Sequence, residues 1–276
     1  KLNFSYRDYS NEMSSLELRG NVRNSNNKGN SINSLDKFNG EGELDLQSIG
    51  GSDSDSDNNS GQISYEYNKR FNEKSKRHIS TWGKLDGSKS KTESNNNQLN
   101  KFNISDPNEA FEVKEDISRE QDIDNLKLSF NVDYTEPLVN NHYLEIRAGV
   151  NYNKIDDDVN QEKYVDDILQ NPLIYTQYYK NTDLSGRLRY KYDNDKFTFS
   201  VGAAVLGQRQ DFGLENEEEF LNSYTSINPE LGIRYRPERG KFMRLRINKS
   251  VNLPRISQLT PVVNDFNPLF IRKGNP

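Results

Sequence analysis

Asp53-Ser54-Asp55-Ser56-Asp57 places three carboxylates at alternate positions, the opening of a calcium-binding loop. The match stops there. Asn58 stands where such a loop needs Gly for its sharp turn, and Ser64 where a bidentate Glu closes the cage. The run therefore reads as a solvated loop tip, and Asp156-Asp157-Asp158 as an external acidic loop. The two histidines, His78 and His142, sit beside short turn signals with no second ligand pattern near them, so they read as surface residues. No Gly-x-Ser-x-Gly, Walker or His-Glu-x-x-His run occurs. Zero cysteines remove thiol nucleophiles, thiolate metal sites and disulfides together. The expectation is a non-enzymatic chain with no cofactor. A net charge of −5, with acids bunched in polar stretches, argues against a nucleic-acid partner.

The elements that would carry any site have a period of two, not 3.6. Leu126, Leu128, Phe130, Val132 and Tyr134 alternate with Lys127, Ser129, Asn131 and Asp133. Leu144 to Tyr152, Leu184 to Tyr192 and Phe197 to Val205 repeat the pattern, as do Leu231 to Tyr235 and Met243 to Ile247. Weaker versions come earlier, at Leu2/Phe4/Tyr6, Leu16/Leu18, Leu44/Leu46, Ile63/Tyr65/Tyr67 and Ile79 to Leu85. Successive strand side chains point to opposite faces, so each segment has one apolar and one polar face.

Connections alternate as well. Short ones at Tyr9–Asn11, Asn39-Gly40, Asn72-Glu73-Lys74, Pro137–Asn141, Asp193-Asn194-Asp195 and Pro237–Gly240 are interleaved with long polar ones. The long ones are Asn24–Ser31, Gly50–Ser60, Gly87–Lys114, Lys154–Thr176, Asp211–Asn222 and Pro254–Pro276. Two acid-rich stretches, Asp156–Leu169 and Leu214–Leu221, are expected to form short helices within them. Only 32% of residues are apolar and the mean hydropathy is −1.02, too polar for membrane helices. A barrel escapes that objection, because only alternate residues face lipid. The predicted fold is all-β: an antiparallel up-and-down transmembrane β-barrel, partial, of about twelve strands, with short periplasmic turns and long extracellular loops. No linker splits the chain, so residues 1–276 read as part of a single barrel domain.

The tail carries a resemblance. Gln258-Leu259-Thr260-Pro261, Asn267-Pro268-Leu269 and Gly274-Asn275-Pro276 follow the strand-like Met243–Ser250 in that order. This resembles the signature of outer-membrane β-barrels related to TonB-dependent receptors, especially the family common in Bacteroidota. Pro254-Arg255-Ile256-Ser257 departs from that family's usual Arg-Pro-Ser order. Ser52–Asn59 followed by Ile63–Phe71 is similar to its loop, strand and basic-Phe turn, and Tyr134-Thr135-Glu136-Pro137-Leu138 to another of its turns. The resemblance implies import of a nutrient solute across the outer membrane. It implies a plug and C-terminal strands that this chain lacks, so the chain is expected to be a piece of a longer protein. As partners it implies outer-membrane lipid and lipopolysaccharide, a plug domain of the same polypeptide, a TonB complex and a surface lipoprotein. Carboxylates at the outer surface would bridge to lipopolysaccharide through divalent cations.

Within that frame, Tyr134, Tyr143, Tyr152, Tyr190, Tyr192 and Tyr235 lie near strand ends, where interfacial aromatic girdles sit. Tyr175, Tyr178 and Tyr179, at the edge of a long connection, are candidate ligand-facing residues. Arg187, Arg189, Lys191, Arg234, Arg236, Arg244 and Arg246 fall on the polar face, where they would salt-bridge the lumen wall, meet acids of a plug or attract an anionic solute. Two other classes stay open: a structural or adhesive surface barrel, and a secreted soluble β-sheet module that binds glycans. The soluble module would pack its apolar faces against each other.

Overall fold

The computed structural model describes residues 1–71, 76–106, 108–215, 219–238 and 240–251. Every regular element among them is a strand. In chain order these are β1 (Leu2–Asn11), β2 (Ser14–Phe38), β3 (Leu44–Arg70), β4 (His78–Phe102), β5 (Phe111–Pro137) and β6 (His142–Val165). There follow β7 (Ile168–Leu169), β8 (Leu173–Asp193), β9 (Phe197–Leu214), β10 (Phe220–Tyr235) and β11 (Met243–Asn248). They form one antiparallel up-and-down sheet in sequence order, with the two-residue β7 pairing only with β6. This is the all-β partial barrel expected, with eleven strands.

Register turns the period-two pattern into a continuous surface. Leu144, Tyr190, Val201, Leu231 and Ile247 stand side by side across β6, β8, β9, β10 and β11. Ile63, Leu85, Leu128 and Tyr152 do the same across β3 to β6. A slip of one residue in any strand would send its whole apolar set to the other face, so the pattern fixes the pairing. Leu126 to Tyr134 supplies about nine residues of apolar strand, what a tilted strand needs to span a bilayer.

Burial is inverted relative to a soluble protein. Every buried side chain among the described residues lies on the polar face, Ile117, Asn131, Asp157, Gln177 and Phe212 among them. The apolar face stays open: Leu184 is 59% exposed, Leu188 54% and Ile227 62%. A sheet that crowds one face and opens the other is curled with the crowded face inside. An apolar convex face exposed over this area is a surface built for lipid.

The upper halves of the strands correct the expected connections. Asn24–Ser31 lies within β2, Gly50–Ser60 within β3, and most of Gly87–Lys114 and Lys154–Thr176 within β4 to β8. The helix expected at Asp156–Leu169 is strand and turn instead; of the one expected at Leu214–Leu221, residues 216–218 lie outside the described residues and the described ones are not helical. Asn39-Gly40 is the tip of the β2–β3 hairpin at the end away from the short turns, so one long hairpin replaces the extra pair of strands expected there. Asn, Ser and Asp have weak strand propensity. Here each polar stretch continues a ladder already fixed below it, and polar cross-strand pairs accompany the extension. Asn24 Nδ2 donates to Asn59 Oδ1 at 2.7 Å, and Asn26 Nδ2 to Asp55 and Asp57 at 3.0 and 2.8 Å. At the other end, the turns after Pro137 and Asp193 form as expected. Asn141 takes a φ of 64°, and the Asn194 carboxamide oxygen accepts the amides of Lys196 and Phe197 at 3.0 and 2.7 Å.

Candidate functional site

The concave face of β5 to β11 carries an ion-pair network near the short-turn end. Arg189, directly opposite Glu145, donates to it through Nε at 2.7 Å. Arg147 pairs with Asp133 across β5 and β6. Glu230 lies 3.9 Å from both Arg187 and Arg189. Asp193 takes Lys191 at 2.9 Å, Thr198 Oγ1 at 2.7 Å and Arg234 at 3.6 Å. Of the predicted cations, Arg187, Arg189, Lys191, Arg234, Arg244 and Arg246 thus share this face, and Arg234 stands directly opposite Arg244. All of these but Arg187 line a recess of about 240 Å³ with Glu230, Thr198 and Ser200. Arg236 lies past the end of β10, in the turn.

The tyrosines divide by face. Tyr134, Tyr190, Tyr192 and Tyr235 point to the convex side at the short-turn end, and Tyr152 marks the other edge of the apolar band. The Tyr134 hydroxyl bonds Glu136, Tyr192 accepts from Asn194 Nδ2 at 2.9 Å, and His142 contacts the hydroxyl of Tyr190. Polar tips at an apolar boundary are what a girdle requires. Tyr143 differs: it is buried on the concave face, with Lys76 Nζ 4.8 Å from its ring. Alternation decides this, because Tyr143 precedes the band residue Leu144 by one.

Near the far end, the concave face holds the small core of Tyr179, Phe212 and Leu214, with Ile155 and Tyr175 packed on it. Gln210 Nε2 donates to the Tyr179 hydroxyl at 2.9 Å, and Gln121 and Gln177 donate to the two oxygens of Asp157 at 2.7 and 2.5 Å. Burial pushes the Tyr175 and Tyr179 hydroxyls up. Tyr175 and Tyr179 therefore face the interior, while Tyr178 sits on the convex side. There a hydrogen bond to the Glu219 carboxylate pushes its hydroxyl up to about 12. Sequence reasoning grouped the three by proximity; their parity separates them. It missed the glutamines; the charged neighbours that flank Gln121 and Gln210 are the signal that would have found those two.

Asp53, Asp55 and Asp57 lie in the middle of β3, not in a loop tip. Alternate residues of a strand stand roughly 7 Å apart, too far to converge on one calcium ion. Among the described residues no group of three or more His, Cys, Asp or Glu is placed to hold a metal ion. His78 lies 2.9 Å from the Lys76 carbonyl oxygen through Nδ1. The tail motifs, Gln258, Leu259, Pro261, Asn267, Pro268, Leu269, Gly274, Asn275 and Pro276, lie outside the described residues.

Among solved structures the chain is similar to BauA, the ferric preacinetobactin receptor from Acinetobacter baumannii, at 9% identity and a TM-score of 0.45. The likeness covers 86% of this chain and 43% of that one. It is similar also to the ferric yersiniabactin uptake receptor FyuA from Yersinia pestis, at 7% identity and 0.30, over 86% and 42%. The unliganded ferric citrate transporter FecA follows at 8% identity and 0.37, over 86% and 42%. The chain spans less than half the length of each. No curated protein sequence matches it. Residues 83–276 match the outer membrane protein beta-barrel family. With its apolar side turned out and its polar side curled in, the chain belongs to that family, as part of a β-barrel in the outer membrane of a Gram-negative bacterium.

Proposed function

We infer that residues 1–276 form part of the wall of a TonB-dependent import barrel that carries a nutrient solute across the outer membrane. The observation that supports this reading is the concave face itself. It is polar and hydrogen-bonded through the membrane, and it continues upward as a tall wall beyond the apolar band. A polar inner wall is common to outer-membrane barrels; the tall amide-rich wall above the band adds a hydrogen-bonding surface for a solute, which an anchor does not need. Arg244 and Arg246 are set to meet acids of a plug domain of the same polypeptide. Tyr175 and Tyr179 stand where a solute descending from outside would pass. The convex upper face, where Lys28 pairs with Asp55 at 2.6 Å and Lys89 with Asp124 at 3.3 Å, faces lipopolysaccharide above the lipid. A surface lipoprotein at the rim would complete the assembly.

The test uses the intact parent protein in its own outer membrane. Faster gel migration without boiling, together with solute uptake that stops when the TonB complex is inactivated, is the expected result. A folded barrel whose loss leaves uptake unchanged would make it a structural or adhesive barrel.

A further inference from the structure

Over three rows above the apolar band, from β3 to β8, the two faces of the sheet differ in charge rather than in polarity; the concave cations nearest them are Arg23 on β2 and Arg119, one row higher on β5. One convex row, in register across β3, β4, β5, β6 and β8, reads Asp57, Lys91, Asp122, Asp158 and Thr176. The concave row one residue away on every strand reads Ser56, Thr92, Gln121, Val159 and Tyr175. Four residues further toward the membrane, the concave row is Ser60, Ser88, Asn125, Ile155, Tyr179 and Phe212. Between them runs Asn58, Ser90, Ile123, Asp157, Gln177 and Leu214. Its one carboxylate, Asp157, is held by two glutamines. Along β3 the run Asp-Ser-Asp-Ser-Asp sends every charge outward and every hydroxyl inward.

Exposure to water does not explain this partition, since neither face is apolar at this height. A wall that selects ions does so with rings of charged side chains, and a wall that selects neutral solutes does so with hydrogen-bonding groups. Serine, threonine, asparagine and glutamine offer both donors and acceptors without a desolvated charge to be matched. Their side chains are mostly short, which leaves lumen space beside them. Ser56 and Thr92 already exchange a hydroxyl hydrogen bond at 3.0 Å, so the row is ordered. Tyr175 closes the row with a ring, half-buried and with its hydroxyl 3.4 Å from Arg119, that can take the C–H face of a sugar.

We propose that this concave wall recognises an uncharged, polyhydroxylated solute of the oligosaccharide class, bound by the rows through Ser56 and Ser60 with Tyr175 as stacking platform. The inference rests on the import reading above and names its substrate class.

The experiment applies the intact parent protein, in detergent, to an array of neutral oligosaccharides and of glycans bearing carboxylate or sulfate groups. Each preparation is first checked for heat-modifiable migration. Binding to neutral members, unchanged between low and high salt, is expected. Ser56→Asp should weaken it about tenfold by setting an unmatched charge against a neutral ligand. Tyr175→Ala should weaken it without changing charge. Asp57→Asn and Lys91→Gln, on the convex row, should leave it within about twofold. A heat-modifiable barrel that binds only charged glycans, or none, overturns this inference and leaves the import reading standing. A protein that never forms a heat-modifiable barrel overturns both.

Discussion

Arg189 on β8 and Glu230 on β10 approach within 3.9 Å across an intervening strand, because the residue between them on β9 is Gly202. A Cβ there would lie 2.5 Å from the Leu188 carbonyl oxygen and 2.9 Å from the Arg189 Cα. Gly202→Val should therefore displace β8 and separate the pair, costing about 1–3 kcal/mol as overpacking does. Ser200→Ala, on the same face one step along, should be nearly silent. Urea titration of the folded, heat-modifiable fraction of the parent protein checks both.

The convex face should reject charge and the concave face accept it. Leu188→Arg, in the middle of the band, is expected to cost about 2–4 kcal/mol of folding into phospholipid vesicles. Asn151→Arg, on the concave side of β6, should cost well under half as much. Equal costs would mean that lipid does not meet the Leu188 face.

The extended upper half of β3 can be tested with proline. In a paired strand Ser54→Pro removes a ladder donor, whereas a loop would tolerate it. The variant is expected to gain cleavage by externally added protease near residue 54 while the membrane-embedded part stays protected. An unchanged digest would restore the loop that the Asn/Ser/Asp composition suggested.

How much of this was legible in the sequence follows from that same stretch. Within the band, period-two alternation located the strands, because lipid on one side and a polar lumen on the other impose opposite residue types. Above the band that contrast vanishes. Ser52–Asn59 shows weak strand propensity and no apolar face, so only its partner strands, in register at Asn24–Ser31 and Lys89–Asn96, reveal it as strand. The same loss of contrast hid the separation of Tyr178 from Tyr175 and Tyr179. The turns at Pro137–Asn141 and Asp193–Asp195 were legible because their chemistry is local: an Asn at positive φ and an Asn side chain capping the following amides.

Tyr178 carries a pH signature. The Glu219 carboxylate holds its hydroxyl protonated up to about 12, against an ordinary 10. A raised folded pKa contributes stability that is complete below the unfolded value and is lost as pH rises from about 10 through 12. Absorbance titration near 295 nm (the tyrosinate band) should show a late component, to which Tyr175 and Tyr179 also contribute, that loses one tyrosine in Tyr178→Phe. Glu219→Gln should return it toward the ordinary value. A late component undiminished by both substitutions would place the effect elsewhere.

The central claim is that the apolar face meets lipid and the polar face meets water, and β5 tests it most directly. Residues 1–276 contain no cysteine, so in a parent protein with any cysteine elsewhere replaced by serine, single cysteines placed in turn from Leu126 to Tyr134 report without background. In outer membranes containing the intact parent protein, the even positions should react with a membrane-soluble maleimide and the odd positions with a charged, water-soluble one. Reaction that fails to alternate, or that alternates the other way, would contradict the account.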